Sequence, residues 1–479
     1  MFVFVIAAQA CVNITTDPAV VAQDPAFAIT LGTQTAEVAA GTTIRTFIRT
    51  ARANGFASAI TYTVTGAPLG LTVSVASTSV ADSSTLTFAA SAELIAGRYP
   101  LVVMATADGV APQQAAITLT VTESTHEGPL VDLVFAGAHT CALTITGAAY
   151  CWGFNGHGEL GNGDTAVVTS TPVAVAGGLA FQTLSVSKVD GVTCGLTAAG
   201  AAYCWGHNAG GQLGDGTRSD RLTPTPVAGG LTFSSIAVGN SHVCGVATSG
   251  TAYCWGTSPN GAFGDGTVGT HLTPTATAAG LLLESIVAGS DYTCAVTTDG
   301  AAYCWGLGAQ GQLGSGEAVM RTTPVAVAGG LTFLGLAAGG MSTCGVTNEL
   351  ATYCWGLNSF GTLGDGTLSR RLAPVPVAGG ATFQSISAGL ATMCGVTEAG
   401  TGHCWGYNFG ALGDGTSEHR SAPVAVAGGL GFRRISAGTG YSCGVTTAGA
   451  VYCWGDNGNG QLGDGTIVAS ERPVRVFWP

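Results

Sequence analysis

CGLTAAGAAYCWG, residues 194–206, decides the fold. Its two cysteines stand ten positions apart, with Gly200 between them and Trp205-Gly206 directly after. A three-residue loop Ala198-Ala199-Gly200 puts glycine where a G1 bulge needs a positive φ. Counting back from that loop pairs Thr197 with Ala201, Leu196 with Ala202, Gly195 with Tyr203 and Cys194 with Cys204. If Thr197/Ala201 is a hydrogen-bonded pair, the cysteines land on a non-hydrogen-bonded one, where the Cα atoms approach most closely and a bridge is feasible.

The pattern is written seven times, as Cys141/Cys151, Cys194/Cys204, Cys244/Cys254, Cys294/Cys304, Cys344/Cys354, Cys394/Cys404 and Cys443/Cys453. Successive pairs begin 53, 50, 50, 50, 50 and 49 residues apart, and one copy alone, Asn348-Glu349-Leu350, lacks the loop glycine. Self-similarity at this period means stacked β units. Seven disulfides are favoured over reduced thiols or zinc, because a ten-residue separation is not a metal-ligand spacing and no histidine accompanies each pair. Such bridges place the protein outside a reducing cytoplasm.

Each unit reads as four strands: a Pro-Val-x-Val segment, an aliphatic segment such as 333–338, and the two arms of the cysteine hairpin. The first unit starts at the aliphatic strand, and the last carries an extra Pro473-Val474-Arg475-Val476. Pairing strand 473–476 beside the first unit would complete it, hide both edges and close a seven-bladed propeller over residues 130–479.

CWGHNAGGQLGDGT (204–217), CWGDNGNGQLGDGT (453–466) and VAGGLTF closely resemble the repeats of the regulator of chromosome condensation family. The resemblance runs from residue 131 to 476 and implies a seven-bladed propeller. Members promote nucleotide exchange on a small nuclear GTPase and bind chromatin, and secreted bacterial members include a β-lactamase inhibitor. Exchange on a nuclear GTPase fits poorly with an acidic, disulfide-rich chain that has no long insertion among its units.

Upstream, alternating apolar runs at 26–31, 43–50, 60–64, 71–75, 86–88, 99–104 and 117–121, separated by turn signals such as Thr65-Gly66-Ala67-Pro68, predict an immunoglobulin-like β-sandwich over 12–123. Residues 124–129 read as a linker. The fold class is therefore all-β, a sandwich followed by a propeller. Residues 1–11, MFVFVIAAQAC, read as the end of a secretory segment with Ala8 and Ala10 before Cys11, a cysteine that resembles the lipidated residue of bacterial lipoproteins. No basic stretch precedes it, which places the true start upstream; the competing reading is a first buried strand.

Composition bounds the function. The chain has 479 residues, 75 of them glycine, charged residues make up only 9%, the net charge is −12 and Lys188 is the one lysine, so little is available to neutralise phosphates. Nucleic acid is not an expected partner, and beyond residue 12 no apolar run approaches the length of a bilayer span. No nucleophile elbow, phosphate loop or dinucleotide fingerprint is present, and the eight histidines are scattered over different units. No catalytic residue, metal ligand or cofactor is expected.

Strand order puts the hairpin-entry turns and the long loops after each Cys-Trp-Gly on one face. Phe154, His157, His207, Tyr292, Phe360, Tyr407, Phe409 and Tyr441 stand there as candidate partner-binding residues. The seven Cys-Trp-Gly tryptophans are expected in the core, and the Gly-Asp-Gly-Thr aspartates in turns rather than as calcium ligands. Arg221, His271, Arg321, Arg371 and Arg420, each three residues before a proline, are expected to bridge a loop to the neighbouring blade. The reading is an exported or envelope-anchored bacterial monomer, not an enzyme, that recognises a protein or glycan through its loop face; the alternative is a regulator of another enzyme, by inhibiting a secreted hydrolase or by nucleotide exchange.

Overall fold

The structure, a computed structural model, describes residues 26–39, 43–68, 70–76, 83–90, 97–122, 131–137, 139–277 and 280–478, which divide into two compact units. The expected leader with Cys11 and the 124–129 linker lie outside the described residues. No helix occurs among the described residues.

The described residues of the N-terminal unit form eight strands: β1 (Ala26–Leu31), β2 (Thr35–Ala39), β3 (Thr43–Ala53), β4 (Thr61–Thr65), β5 (Leu71–Ala76), β6 (Ser83–Ala90), β7 (Gly97–Ala107) and β8 (Val110–Thr122). They form two four-stranded sheets, β1-β3-β6-β5 and β2-β8-β7-β4. Period-two alternation buries Ile48, Leu86 and Phe88 of one sheet with Leu101, Val103, Ile117 and Leu119 of the other in a single core. Strand β2 escapes the sequence reading because Thr-Ala-Glu-Val-Ala carries only one large apolar residue, Val38, and pairs in parallel with β8, with no hairpin turn to announce it.

The second unit is seven four-stranded antiparallel sheets, each continuous in sequence. The first comprises β9 (Val131–Ala136), β10 (His139–Thr144), β11 (Ala149–Phe154) and β12 (Val168–Ala174); the others occupy 181–226, 233–276, 283–326, 333–376, 383–425 and 432–475. The cysteine hairpins take the register the spacing requires, with Cys194 opposite Cys204, Gly195 opposite Tyr203 and Leu196 opposite Ala202. Every expected pair is a disulfide: Cys141–Cys151, Cys194–Cys204, Cys244–Cys254, Cys294–Cys304, Cys344–Cys354, Cys394–Cys404 and Cys443–Cys453, with Cα–Cα distances of 4.0–4.1 Å.

Blades are joined by tryptophan. The Trp205 Nε1–H donates to the Glu159 carbonyl of the preceding blade at 2.9 Å, and Trp255, Trp305, Trp355, Trp405 and Trp454 repeat the bond to Gln212, Ala262, Gln312, Thr362 and Ala411 at 2.9–3.0 Å. The seventh bond, Trp152 Nε1–H to the Gln461 carbonyl at 2.9 Å, runs from the first blade to the last and closes the ring. The indoles are fully buried. A glycine lies under each ring: a Cβ on Gly214, at φ +65°, would stand 2.7 Å from Trp255 Nε1.

Closure differs from the expected strand exchange. The last strand, Ser470–Arg475, pairs with Val451–Gly455 of its own sheet, not with the first blade. The first blade already has its fourth strand, β12, so no vacant edge awaits a partner. Side chains close the junction instead: Val476 packs in one cluster with Ala142 and Trp152, and Trp478 meets Tyr150 edge-on at 5.3 Å.

Where the hairpin glycine is missing, Leu350 takes φ 60°. That conformation costs a side-chain-bearing residue roughly 1–2 kcal/mol, part of which glycine's greater unfolded entropy returns. Leu350→Gly is expected to raise the unfolding free energy by about 0.5–1 kcal/mol in denaturant titrations with the disulfides intact.

Candidate functional site

The site is the set of loops that follow each Cys-Trp-Gly, and five of the seven are organised around a buried asparagine, Asn155, Asn208, Asn358, Asn408 or Asn457, where the other two have Ser258 and Gly308. Asn208 accepts the Leu213 N–H at 3.0 Å and donates to the Thr217 and Ser219 carbonyls at 3.3 and 3.0 Å. Asn358 and Asn408 repeat this. The sequence signal was the recurring Cys-Trp-Gly-x-Asn, which the reading by variable aromatics passed over.

The bridging cysteines anchor these loops from below and take no part in the loop surface. Cys151, Cys204, Cys254, Cys304, Cys354, Cys404 and Cys453 each stand two residues before the glycine from which a loop departs, and all are fully buried. Their partners Cys141, Cys194, Cys244, Cys294, Cys344, Cys394 and Cys443 are equally buried. Their role is structural, and none can meet a partner at the face.

The Gly-Asp-Gly-Thr aspartates cap the same loops. Asp215 Oδ1 accepts the Thr217 amide and hydroxyl, and its Oδ2 accepts from Arg221 Nε and Nη2 at 2.8 and 2.6 Å. Arg371 with Asp365, Arg420 with Asp414 and His271 with Asp265 make equivalent pairs. These side chains therefore bind the carboxylate six residues earlier in their own loop, which corrects the expected bridge to a neighbouring blade. In the fifth case Ser315 replaces the aspartate and Arg321 turns to Glu317. Desolvation pushes the Asp365 carboxyl up, but the Thr367 hydroxyl, the Arg371 guanidinium and the Thr367 amide outweigh it and hold the carboxyl below its ordinary range.

Three positions then meet at the junction between consecutive blades: the residue two after the asparagine in one blade, the residue before the asparagine in the next, and the residue five after that next blade's aspartate. Between the first and second blades they are His157, His207 and Asp220. The two imidazole centroids lie 4.6 Å apart, and His157 Nδ1 is 2.9 Å from Asp220 Oδ2. Between the fifth and sixth blades they are Phe360, Tyr407 and His419: Phe360 meets Tyr407 at 5.0 Å and His419 at 5.1 Å, and Tyr407 stacks on His419 at 5.0 Å. Asp220 and His419 accept the backbone N–H of Asn208 and Asn408, at 2.8 and 3.0 Å, so the two triads share one frame.

Phe409 joins the second triad, 5.1 Å from Tyr407 and 62% exposed, while Phe360 is 37% exposed. A depression of about 260 Å3 beside them is lined by Ser359, Phe360, Leu368, His419 and Ser421. Phe154, the residue before Asn155, is half-buried.

Tyr292 and Tyr441 are not surface anchors. Both are buried, because the residue that opens each hairpin points into the next blade: Tyr292 donates to the Ser342 carbonyl at 2.7 Å, and Tyr441 OH lies 2.8 Å from Thr140 Oγ1. His139 and His242 hold the same position. Their Nε2 atoms lie 2.6 and 2.9 Å from the Thr193 and Thr293 hydroxyls, which themselves donate to the Glu159 and Ala262 carbonyls.

Residues 192–477 match the RCC1-like domain family, and residues 146–197 match the Regulator of chromosome condensation (RCC1) repeat. The human E3 ubiquitin-protein ligase HERC2 is 36% identical over 113 residues, which is 22% of this chain and 2% of that protein; the chain thus spans a small part of the curated relatives it matches. Among solved structures, human WBSCR16 superposes with a TM-score of 0.64 at 20% identity over 69% of this chain and 95% of its own. Prp20p from Saccharomyces cerevisiae, described with its binding to Gsp1p and histones, gives 0.62 at 22% identity over 70% of this chain and 87% of its own. These two likenesses speak to fold.

Burial lowers the imidazole pKa of His139 from 6.5 to about 3 and that of His242 to about 4. The unfolded chain therefore binds more protons between those values and 6.5, so the stability both groups confer is complete above about pH 6.5 and drains away as pH falls towards 4, by at most about 1.4 kcal/mol per pH unit for each. Denaturation midpoints measured from about pH 7.5 down to about 4.5 are expected to drop. The His139→Gln/His242→Gln double variant should show a flatter profile over the same interval.

Proposed function

The chain belongs to the RCC1-like domain family, and from that premise we propose that it is an exported, non-enzymatic recognition protein whose loop face binds a protein or glycan. The observation that carries this reading is the exposed cluster of Phe360, Tyr407, Phe409 and His419 beside a shallow depression. Aromatic rings held on a rigid scaffold lose little conformational entropy on binding and serve as anchors. Their edge-to-face packing fixes them before a partner arrives.

Export rests on the seven disulfides. With a net charge of −12 and a single lysine, binding to nucleic acid is disfavoured. The N-terminal sandwich is read as an immunoglobulin-like spacer, and Cys11 as a bacterial lipid attachment that would hold a monomeric propeller at the envelope.

Crosslinking on intact cells followed by affinity capture with the full chain is the test. Phe360→Ala/Phe409→Ala is expected to weaken capture of the identified partner by at least about 2 kcal/mol, roughly thirtyfold in affinity. Capture at parental affinity would remove this patch from the account.

A further inference from the structure

The junction between the first and second blades is built differently from the aromatic one. Two imidazoles and a carboxylate, His157, His207 and Asp220, bring one donor atom each within 4.8 Å of one another. They come from two loops, Gly156-His157-Gly158 of the first blade and the asparagine loop of the second. Donors held about 2.05 Å from a tetrahedral ion stand roughly 3.3 Å apart, so side-chain rotation alone would bring this set together.

The surroundings favour a cation. Glu159 is fully buried next to the triad; its Oε2 accepts the His157 N–H at 2.8 Å, and its Oε1 has no hydrogen-bond partner. Asp220 lies against the His157 ring and the buried Glu159 is tied to the same residue's backbone, so an added cation would offset the negative charge gathered there. His157 and Asp220 are 47% and 36% exposed at their side chains, which gives an ion a way in. The Asp220 carboxylate, 2.9 Å from His157 Nδ1, already holds two of the three donor residues together.

We propose that His157, His207 and Asp220 form a binding site for a divalent transition-metal ion of the zinc type, bridging the loops of the first and second blades. Two nitrogens and a carboxylate suit zinc, whereas calcium and magnesium prefer all-oxygen shells. Water would complete the coordination. Periodicity hides the site because the two histidines hold different places in their units, two residues after one asparagine and one residue before the next.

The test is calorimetric titration of the chelator-treated full chain, disulfides intact, with zinc chloride near neutral pH. One ion per chain is expected, with binding that weakens as pH falls through the histidine range because protons compete for the ligands. His157→Ala and His207→Ala should each reduce affinity by at least about tenfold, and Asp220→Asn by roughly 10–100-fold. Magnesium should give no heat. The metal-free His157→Ala variant is expected to melt at the parental temperature, since that side chain is 47% exposed; His207 is half-buried beside Gln212, so His207→Gln stands in should His207→Ala misfold. A flat zinc isotherm in the parent, or variants that bind zinc with parental affinity, would overturn the proposal.

Discussion

An indole N–H held by the carbonyl of the preceding blade's loop is the contact on which the ring depends. It recurs at all seven junctions, and at Trp152 it is made across the two ends of the propeller chain. Burying an indole removes on the order of 200 Å2 of surface from water, worth roughly 5 kcal/mol before entropy, and the satisfied N–H adds about 1 kcal/mol. The glycine under each ring, Gly214 or Gly463 for example, lets the loop backbone lie close enough for the bond. Loop and tryptophan are therefore one device, and the loop that grips the next blade is also the one that presents side chains to solvent.

The disulfides act within each blade and the tryptophans between blades. Each bridge ties the hairpin that carries the tryptophan, and in the chain-entropy model a loop this small is worth roughly 2–3 kcal/mol. The sulfurs also fill the core, as Cys244 and Cys254 do beside Ile286 and Trp305 of the following blade. A covalent hairpin, a buried indole and an asparagine-braced loop leave little freedom on the loop face. That rigidity is what allows three side chains from two blades to be brought together at one junction, as an aromatic cluster in one place and an imidazole–carboxylate cluster in another.

Local geometry made the hairpin legible in sequence: a loop glycine and a ten-residue spacing settle which residues face each other, as Cys194 and Cys204 show. The burial of the tryptophans followed from their equivalence in every unit. Closure was misread because strand exchange and side-chain packing leave the same pattern at the chain ends; only the pairing of Ser470–Arg475 with its own sheet separates them. Tyr292 and Tyr441 were misplaced for a related reason, since the residue opening a hairpin lies on the loop side in sequence yet points between blades in space. The meeting of His157, His207 and Asp220 depends on an offset between consecutive units that no single repeat displays.

The central claim, a ring closed by seven equivalent indole bonds, is tested most directly by hydrogen exchange at the tryptophan Nε1–H groups, followed by NMR on indole-labelled protein. Seven indole protons should be protected to a similar degree, Trp152 included, with the eighth, Trp478, exchanging much faster. Exchange of Trp152 at the rate of Trp478, with the other six protected, would show an open array and contradict the account.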